Sequence, residues 1–79
     1  MESWADHAVL WQVYPLGFTG AERSALAANE PVRHRLRQLE AWLDYAIELG
    51  CNGLLLGPVF ASQTHGYDTT DHFTIDPRL

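Results

Sequence analysis

The feature that most constrains the fold of this chain is an uninterrupted apolar run at residues 53–57, with the sequence GLLLG, followed at once by Pro58. A strand that exposes one face to water would alternate apolar and polar residues, and these three leucines show no such alternation. The run is typical of a strand that is covered on both faces, as in sheets of parallel strands. We therefore predict a buried parallel strand that ends at the proline.

A helix is predicted before this strand, over residues 32–49. Pro31 suits its first turn, and Gly50 suits the left-handed conformation that ends a helix. Arginines lie near its N-terminal end, against the helix dipole, so docking of the apolar face has to supply most of its stability. That face follows from apolar residues spaced by three and four, which are Leu36, Leu39, Leu43, Ala46 and Ile47.

A second strand is predicted at residues 9–14, where valine, tryptophan and tyrosine precede Pro15. Strand, helix and strand in this order form a βαβ unit with two parallel strands, which places the chain in the α/β class. Two parallel strands leave two unpaired edges, and one helix cannot cover both faces of an apolar strand. We therefore expect this unit to need neighbours.

Composition excludes several classes of function. The chain has 79 residues, 47% hydrophobic and 19% charged, as expected for one globular domain at most. Its net charge of −5 gives no attraction to nucleic acid or to anionic membranes. No secretory signal and no run of about 20 apolar residues is recognisable, so a cytoplasmic location is predicted. Cys51 is the single cysteine, so neither an internal disulfide nor a two-thiol redox motif is expected.

The segment after the apolar strand, residues 59–76, is predicted to be a ligand loop. It places an aromatic ring beside a carboxylate, Tyr67 and Asp68, after His65 and Gly66. An aromatic face covers the C–H surface of a sugar ring, and a carboxylate accepts hydrogen bonds from its hydroxyl groups. The local alternatives are a tyrosine and a histidine that pack the loop and an aspartate that caps a turn.

The same segment mixes nitrogen and oxygen donors. They are His65, Asp68, Asp71 and His72. Their spacing matches no common metal-ligand pattern, and the ordinary polarity of a loop explains them equally well. We therefore predict no metal and no cofactor.

The order of these elements resembles the start of the catalytic domain of the alpha-amylase family of glycoside hydrolases and transglycosylases. The resemblance covers roughly residues 9–79, and its most specific part runs from Leu49 to Asp76, where the helix end, the strand, the proline, Gly-Tyr-Asp and Asp-Pro-Arg follow in family order. It implies a partial TIM (βα)8 barrel, consisting of the N-terminal strand–helix–strand unit and the long loop after its second strand. It also implies a complete enzyme that acts on α-glucosidic bonds of α-glucans or α-glucosides by double displacement.

The resemblance implies roles for individual residues. Tyr67 corresponds to the tyrosine that stacks on the sugar just before the cleaved bond. Asp68 corresponds to a carboxylate that holds hydroxyl groups of that sugar, and His65 is expected beside them as a third substrate-binding residue. Asp71 and Asp76 fall on positions that mainly order the loop.

The catalytic carboxylates are expected to be absent from this chain. A retaining glycosidase needs a nucleophile and an acid–base group about 5 to 5.5 Å apart, and the family supplies them from later strands of the barrel. The aspartate-rich calcium motif that many members carry after the first strand is also missing from residues 16–30. The chain by itself is therefore predicted to be inactive.

Two other functions stay open on the sequence. One is a structural or assembly fragment that folds by self-association or by docking to the remainder of a barrel, without a ligand of its own. The other is a small lectin-like binder, which would keep the sugar-contact residues but needs a closed pocket that a chain this short hardly provides.

Overall fold

The computed structural model describes residues 3–79 as a small mixed structure of short helices and strands. The strands at Leu10–Val13 (β1) and Gly53–Leu56 (β2) form one sheet, and those at Phe60–Ser62 (β3) and Thr69–Ile75 (β4) form another. Within the described part, no helix has the length and apolar character needed to cross a membrane. In chain order the elements are a 3-10 helix at Trp4–His7, β1 at Leu10–Val13, α1 at Pro15–Phe18, α2 at Arg37–Glu40, α3 at Leu43–Glu48, β2 at Gly53–Leu56, β3 at Phe60–Ser62 and β4 at Thr69–Ile75.

The two predicted strands are present and parallel, which confirms the mixed helix and strand class. Leu10 is aligned with Gly53, and Val13 with Leu56. Both strands are slightly shorter than the predicted ranges. Pro15 stops β1 because it has no N–H to donate, and it begins α1 at a position where that group is not needed.

The structure has two short helices, α2 and α3, in place of the single helix predicted over residues 32–49. Residues 32–36 are not helical, and His34 has a φ of 56°, outside the right-handed helical region. The N–H of Arg33 donates to the carbonyl oxygen of Pro77 at 2.9 Å instead of bonding within a helix. The prediction is wrong for this part because a tertiary contact with the end of the chain replaces the first helical turns.

The predicted end of the helix is confirmed at Gly50, which has a φ of 89°. Its N–H donates to Ile47 O at 2.9 Å, and the N–H of Cys51 donates to Ala46 O at 3.0 Å. This pair of bonds is the Schellman arrangement that satisfies the last carbonyls of a helix. It turns the chain directly from α3 towards β2.

Most of the predicted ligand loop over residues 59–76 is a β-hairpin. Strands β3 and β4 pair in antiparallel fashion with an irregular register, and residues 63–68 connect them. Strand β4 is rich in threonine and also contains phenylalanine and isoleucine, all of which favour strands. Of the polar residues named for the loop, Asp71 and His72 lie instead in this exposed strand, whereas His65 and Asp68 lie in the connection. The loop prediction therefore holds only for residues 63–68.

The core is small and the molecule is flat. Leu54, Leu55 and Leu56 remain 41%, 48% and 45% exposed, so the strand predicted to be covered on both faces is open in this chain. The radius of gyration is 14.6 Å, against roughly 11.6 Å for a compact domain of this length. The molecule measures 49 × 27 × 16 Å along its principal axes. The buried hydrophobic residues are Val13, Leu16, Leu39, Ala46 and Leu79.

Candidate functional site

The connection at residues 63–68 lies against the C-terminal ends of both parallel strands. On the β1 side, the hydroxyl of Tyr14 donates a hydrogen bond to the carbonyl oxygen of His65. On the β2 side, Gly66 packs so closely that an added Cβ would lie 3.0 Å from Cβ of Pro58. Gly66 also has a φ of 104°, which favours glycine. These contacts fix the backbone of the connection at the edge of the parallel sheet.

Tyr67 projects from this connection into solvent and is 76% exposed. Its ring lies 6.2 Å from the ring of His65, measured between centroids, with 41° between the ring planes. The N–H of Tyr67 donates to Nδ1 of His65 at 3.2 Å. The aromatic face is thus accessible while its backbone is held in place.

The Asp68 carboxylate accepts two hydrogen bonds from Thr64, and Nδ1 of His65 lies 3.8 Å from its Oδ1. Its Oδ1 accepts a hydrogen bond from the N–H of Thr64 at 3.1 Å, and its Oδ2 accepts one from the Thr64 hydroxyl. The hydroxyl bond is the main cause that lowers the pKa of Asp68 to about 2, against the opposing effect of desolvation. Asp68 is therefore a carboxylate at neutral pH that can accept further hydrogen bonds but is unsuited to act as an acid.

Arg78 and Asp76 form a buried pair behind the connection. Arg78 is 0% exposed, and its Nε and Nη2 donate to the two oxygens of Asp76 at 3.0 and 2.9 Å. Nη2 also donates to Ser62 Oγ at 2.9 Å, while Nη1 donates to Thr64 O at 2.7 Å and to Glu22 O at 2.8 Å. All five N–H groups of the guanidinium are thereby used.

Asp76 receives enough hydrogen bonds to stay ionised despite its burial. Desolvation opposes its charge, but the bonds from Arg78 and from the N–H of Ser62 outweigh it and hold its pKa below the usual range. Because Ser62 ends β3 and Asp76 directly follows β4, the bond between them joins the C-terminal ends of the two strands.

Asp71 lies in β4, away from the connection. Its Oδ1 accepts from the N–H of Phe73 at 2.9 Å and its Oδ2 from the Thr74 hydroxyl at 2.8 Å, and these bonds lower its pKa. Both contacts fall where the register of β4 is irregular. The structure thus brings His65, Tyr67 and Asp68 together and leaves Asp71 outside this group.

A cavity of about 300 Å³ lies beside the connection. Of the three residues predicted to bind substrate, His65 lines it, whereas Tyr67 and Asp68 lie outside the lining. Its wall includes Glu22, whose pKa is lowered to about 2, mainly by the hydrogen bond from Arg35. The complete lining consists of Tyr14, Leu16, Gly17, Ala21, Glu22, Arg23, Thr64 and His65.

Sequence reasoning missed three residues that support the site. Tyr14 was expected to emerge with Pro15 at the ligand end of the first strand but was given no role, and nothing near Thr64 marks it as a partner of Asp68. Arg78 had a signal, because it belongs to the Asp-Pro-Arg motif after the loop. That motif gave no indication that the arginine would be the most buried polar side chain near the site.

Comparison with proteins of known function finds relatives along nearly the whole chain. It is 31% identical to a cyclomaltodextrinase of Thermoanaerobacter pseudethanolicus, 33% identical to an intracellular maltogenic amylase of Bacillus subtilis and 34% identical to neopullulanase 2 of Thermoactinomyces vulgaris. Each alignment covers 96% of this chain, and the chain spans about 15% of the length of these curated relatives. No family model and no solved structure matches the chain.

Proposed function

Because the chain is related in sequence to enzymes of the alpha-amylase family over 96% of its length, we propose that it forms part of the catalytic barrel of an enzyme that hydrolyses α-glucans. Its connection at residues 63–68 would bind the sugar, and other parts of the barrel would supply the catalytic carboxylates. A cytoplasmic location is part of the proposal, and the Bacillus subtilis relative named as intracellular supports it.

The parallel pair supports a place in a barrel. Strands β1 and β2, with α1 to α3 between them, have the order of the first strand–helix–strand unit of a TIM barrel. The half-exposed leucines of β2 and the flat shape of the chain are what an incomplete barrel would show. Ligands of such barrels bind at the C-terminal ends of the strands, which is where residues 63–68 lie.

The observation that carries the proposed sugar site is the exposed ring of Tyr67 beside the fixed carboxylate of Asp68. Within residues 3–79 Tyr67 is 76% exposed, so its ring is accessible to a ligand. The carboxylate next to it stays ionised and retains free lone pairs. A sugar ring offers the C–H face and the hydroxyl groups that such a pair would bind.

Transfer of this chain into a relative tests the proposal. We expect a chimera in which it replaces the aligned segment of the Bacillus subtilis maltogenic amylase to hydrolyse maltodextrins, because the alignment covers 96% of this chain. The 79-residue chain alone should give no hydrolysis above background, since it lacks the carboxylate pair of a retaining enzyme. Reducing-sugar release measures both.

Two outcomes would contradict the proposal. One is a chimera that folds, as judged by its melting curve, but neither binds nor hydrolyses maltodextrins. The other is turnover by the isolated chain that disappears in an Asp68→Asn variant, because the carboxylates of the chain would then be catalytic. The matched control is the unmodified relative, measured under the same conditions.

A structural or assembly fragment is the second candidate function, favoured by the open faces of β2. In isolation the chain is expected to self-associate, because Leu54, Leu55 and Leu56 are 41%, 48% and 45% exposed beside unpaired strand edges. Sedimentation velocity at micromolar concentration measures this, with Leu55→Lys as a variant that should shift the distribution towards monomer. A sharp monomer with a cooperative melt would contradict the expectation.

A further inference from the structure

We propose that Thr64 is a positioning residue, which fixes the Asp68 carboxylate in the orientation that binds sugar hydroxyl groups, and that Arg78 fixes Thr64 in turn. This inference rests on the proposed sugar-binding function of residues 63–68. It adds to that site two residues that need not touch the sugar themselves.

Thr64 contacts both oxygens of the same carboxylate. Its N–H bonds Oδ1 of Asp68 at 3.1 Å and its hydroxyl bonds Oδ2, so rotation of the carboxylate plane would break one contact or both. The backbone closes the same loop, because the N–H of Gln63 donates to Asp68 O at 3.2 Å. The Asp68 side chain nonetheless remains 32% exposed, which leaves oxygen lone pairs on its open side for a ligand.

A buried side chain, that of Arg78, in turn holds Thr64. Its carbonyl oxygen accepts a hydrogen bond from Nη1 of Arg78 at 2.7 Å. Arg78 is 0% exposed and is fixed by two bonds to Asp76, which is 2% exposed. A binding group holds its geometry well when the residues that orient it are themselves locked by packing and hydrogen bonds. The series from Asp76 through Arg78 and Thr64 to Asp68 meets that condition.

Thr64→Val and Thr64→Ser form a matched pair that tests this role in the chimera. Valine keeps the shape of threonine but deletes the hydroxyl, whereas serine keeps the hydroxyl. We expect Thr64→Val to lower kcat/KM for maltodextrins on the order of tenfold with little change in Tm, because the carboxylate loses its fixed orientation. Thr64→Ser should stay within about twofold of the parent, and Arg78→Lys should give a loss in the same direction within its folded fraction.

A second measurement determines the pKa of the Asp68 carboxylate itself. In the full chain, carbon NMR of Asp68 should show its pKa rising from about 2 towards the ordinary value in Thr64→Val and staying low in Thr64→Ser. An unchanged pKa in the valine variant overturns the inference. If Thr64→Val melts far below the parent, Thr64→Ala replaces it in both measurements.

Variants of the two site residues distinguish the positioning role of Thr64 from the proposed sugar-binding function. Suppose Asp68→Asn and Tyr67→Ala lower kcat/KM but Thr64→Val does not; the positioning role is then wrong and the sugar-binding function stands. If Asp68→Asn and Tyr67→Ala leave kcat/KM unchanged, the sugar-binding function is wrong and the positioning role falls with it. A loss in Thr64→Val that serine restores, together with a loss in Asp68→Asn, supports both.

Discussion

Replacing Arg78 with methionine is expected to lower the free energy of unfolding by about 3 to 5 kcal/mol. The guanidinium is fully buried and joins Asp76, Ser62, Thr64 and Glu22. Methionine fills similar space but leaves the Asp76 carboxylate, 2% exposed, without a counter-charge. Because the isolated chain is expected to self-associate, the effect of the substitution is compared in the chimera. Urea titration of the chimera followed by circular dichroism measures the change.

An exposed arginine provides the control for this substitution. Arg23→Met removes the same charge at the surface and is expected to change the free energy of unfolding by no more than about 0.5 kcal/mol. Adding Asp76→Leu to Arg78→Met should recover part of the loss, since no unpaired charge then stays buried. An Arg78→Met variant as stable as the parent would show that the pair contributes little to the fold.

Tyr67→Ala is expected to lower kcat/KM of the chimera for maltodextrins by roughly 5- to 150-fold while its Tm stays unchanged. The alanine removes a stacking surface worth about 1 to 3 kcal/mol if the ring covers the sugar beside the cleaved bond. The corresponding fold-change in rate follows from about 1.4 kcal/mol per factor of ten. Because the ring is 76% exposed, its loss should cost the fold little. Steady-state kinetics and a thermal melt together measure the outcome.

Two variants serve as controls for the tyrosine. Tyr67→Phe keeps the ring and loses only the hydroxyl, so its kcat/KM should be far closer to that of the parent. Trp4→Ala removes an aromatic side chain of similar exposure, 79%, from the 3-10 helix before β1, and should leave kcat/KM unchanged. If Tyr67→Ala instead melts many degrees lower while its folded fraction is fully active, Tyr67 is a packing residue.

The sequence alone was sufficient for features that depend on neighbouring residues. The GLLLG run and the residues before Pro15 predicted the two strands, and the structure pairs them in parallel. Gly50 predicted the end of the helix, because a left-handed residue there depends only on local backbone sterics. The order of motifs also predicted the family to which the relatives of this chain belong.

Tertiary structure decided the features that depend on residues far apart in the chain. Residues 32–36 have helical periodicity, yet Arg33 bonds the carbonyl of Pro77, and this distant partner replaces a helical bond. The hairpin within residues 59–76 and the support of Asp68 by Thr64 and Arg78 likewise depend on pairing that no local pattern encodes. Periodicity reports which face of a segment is apolar, but not which polar groups meet across the fold. The sequence therefore predicted Tyr67 and Asp68 as residues of one proposed site, and only the structure shows that a buried arginine bonds Thr64, the residue that bonds Asp68.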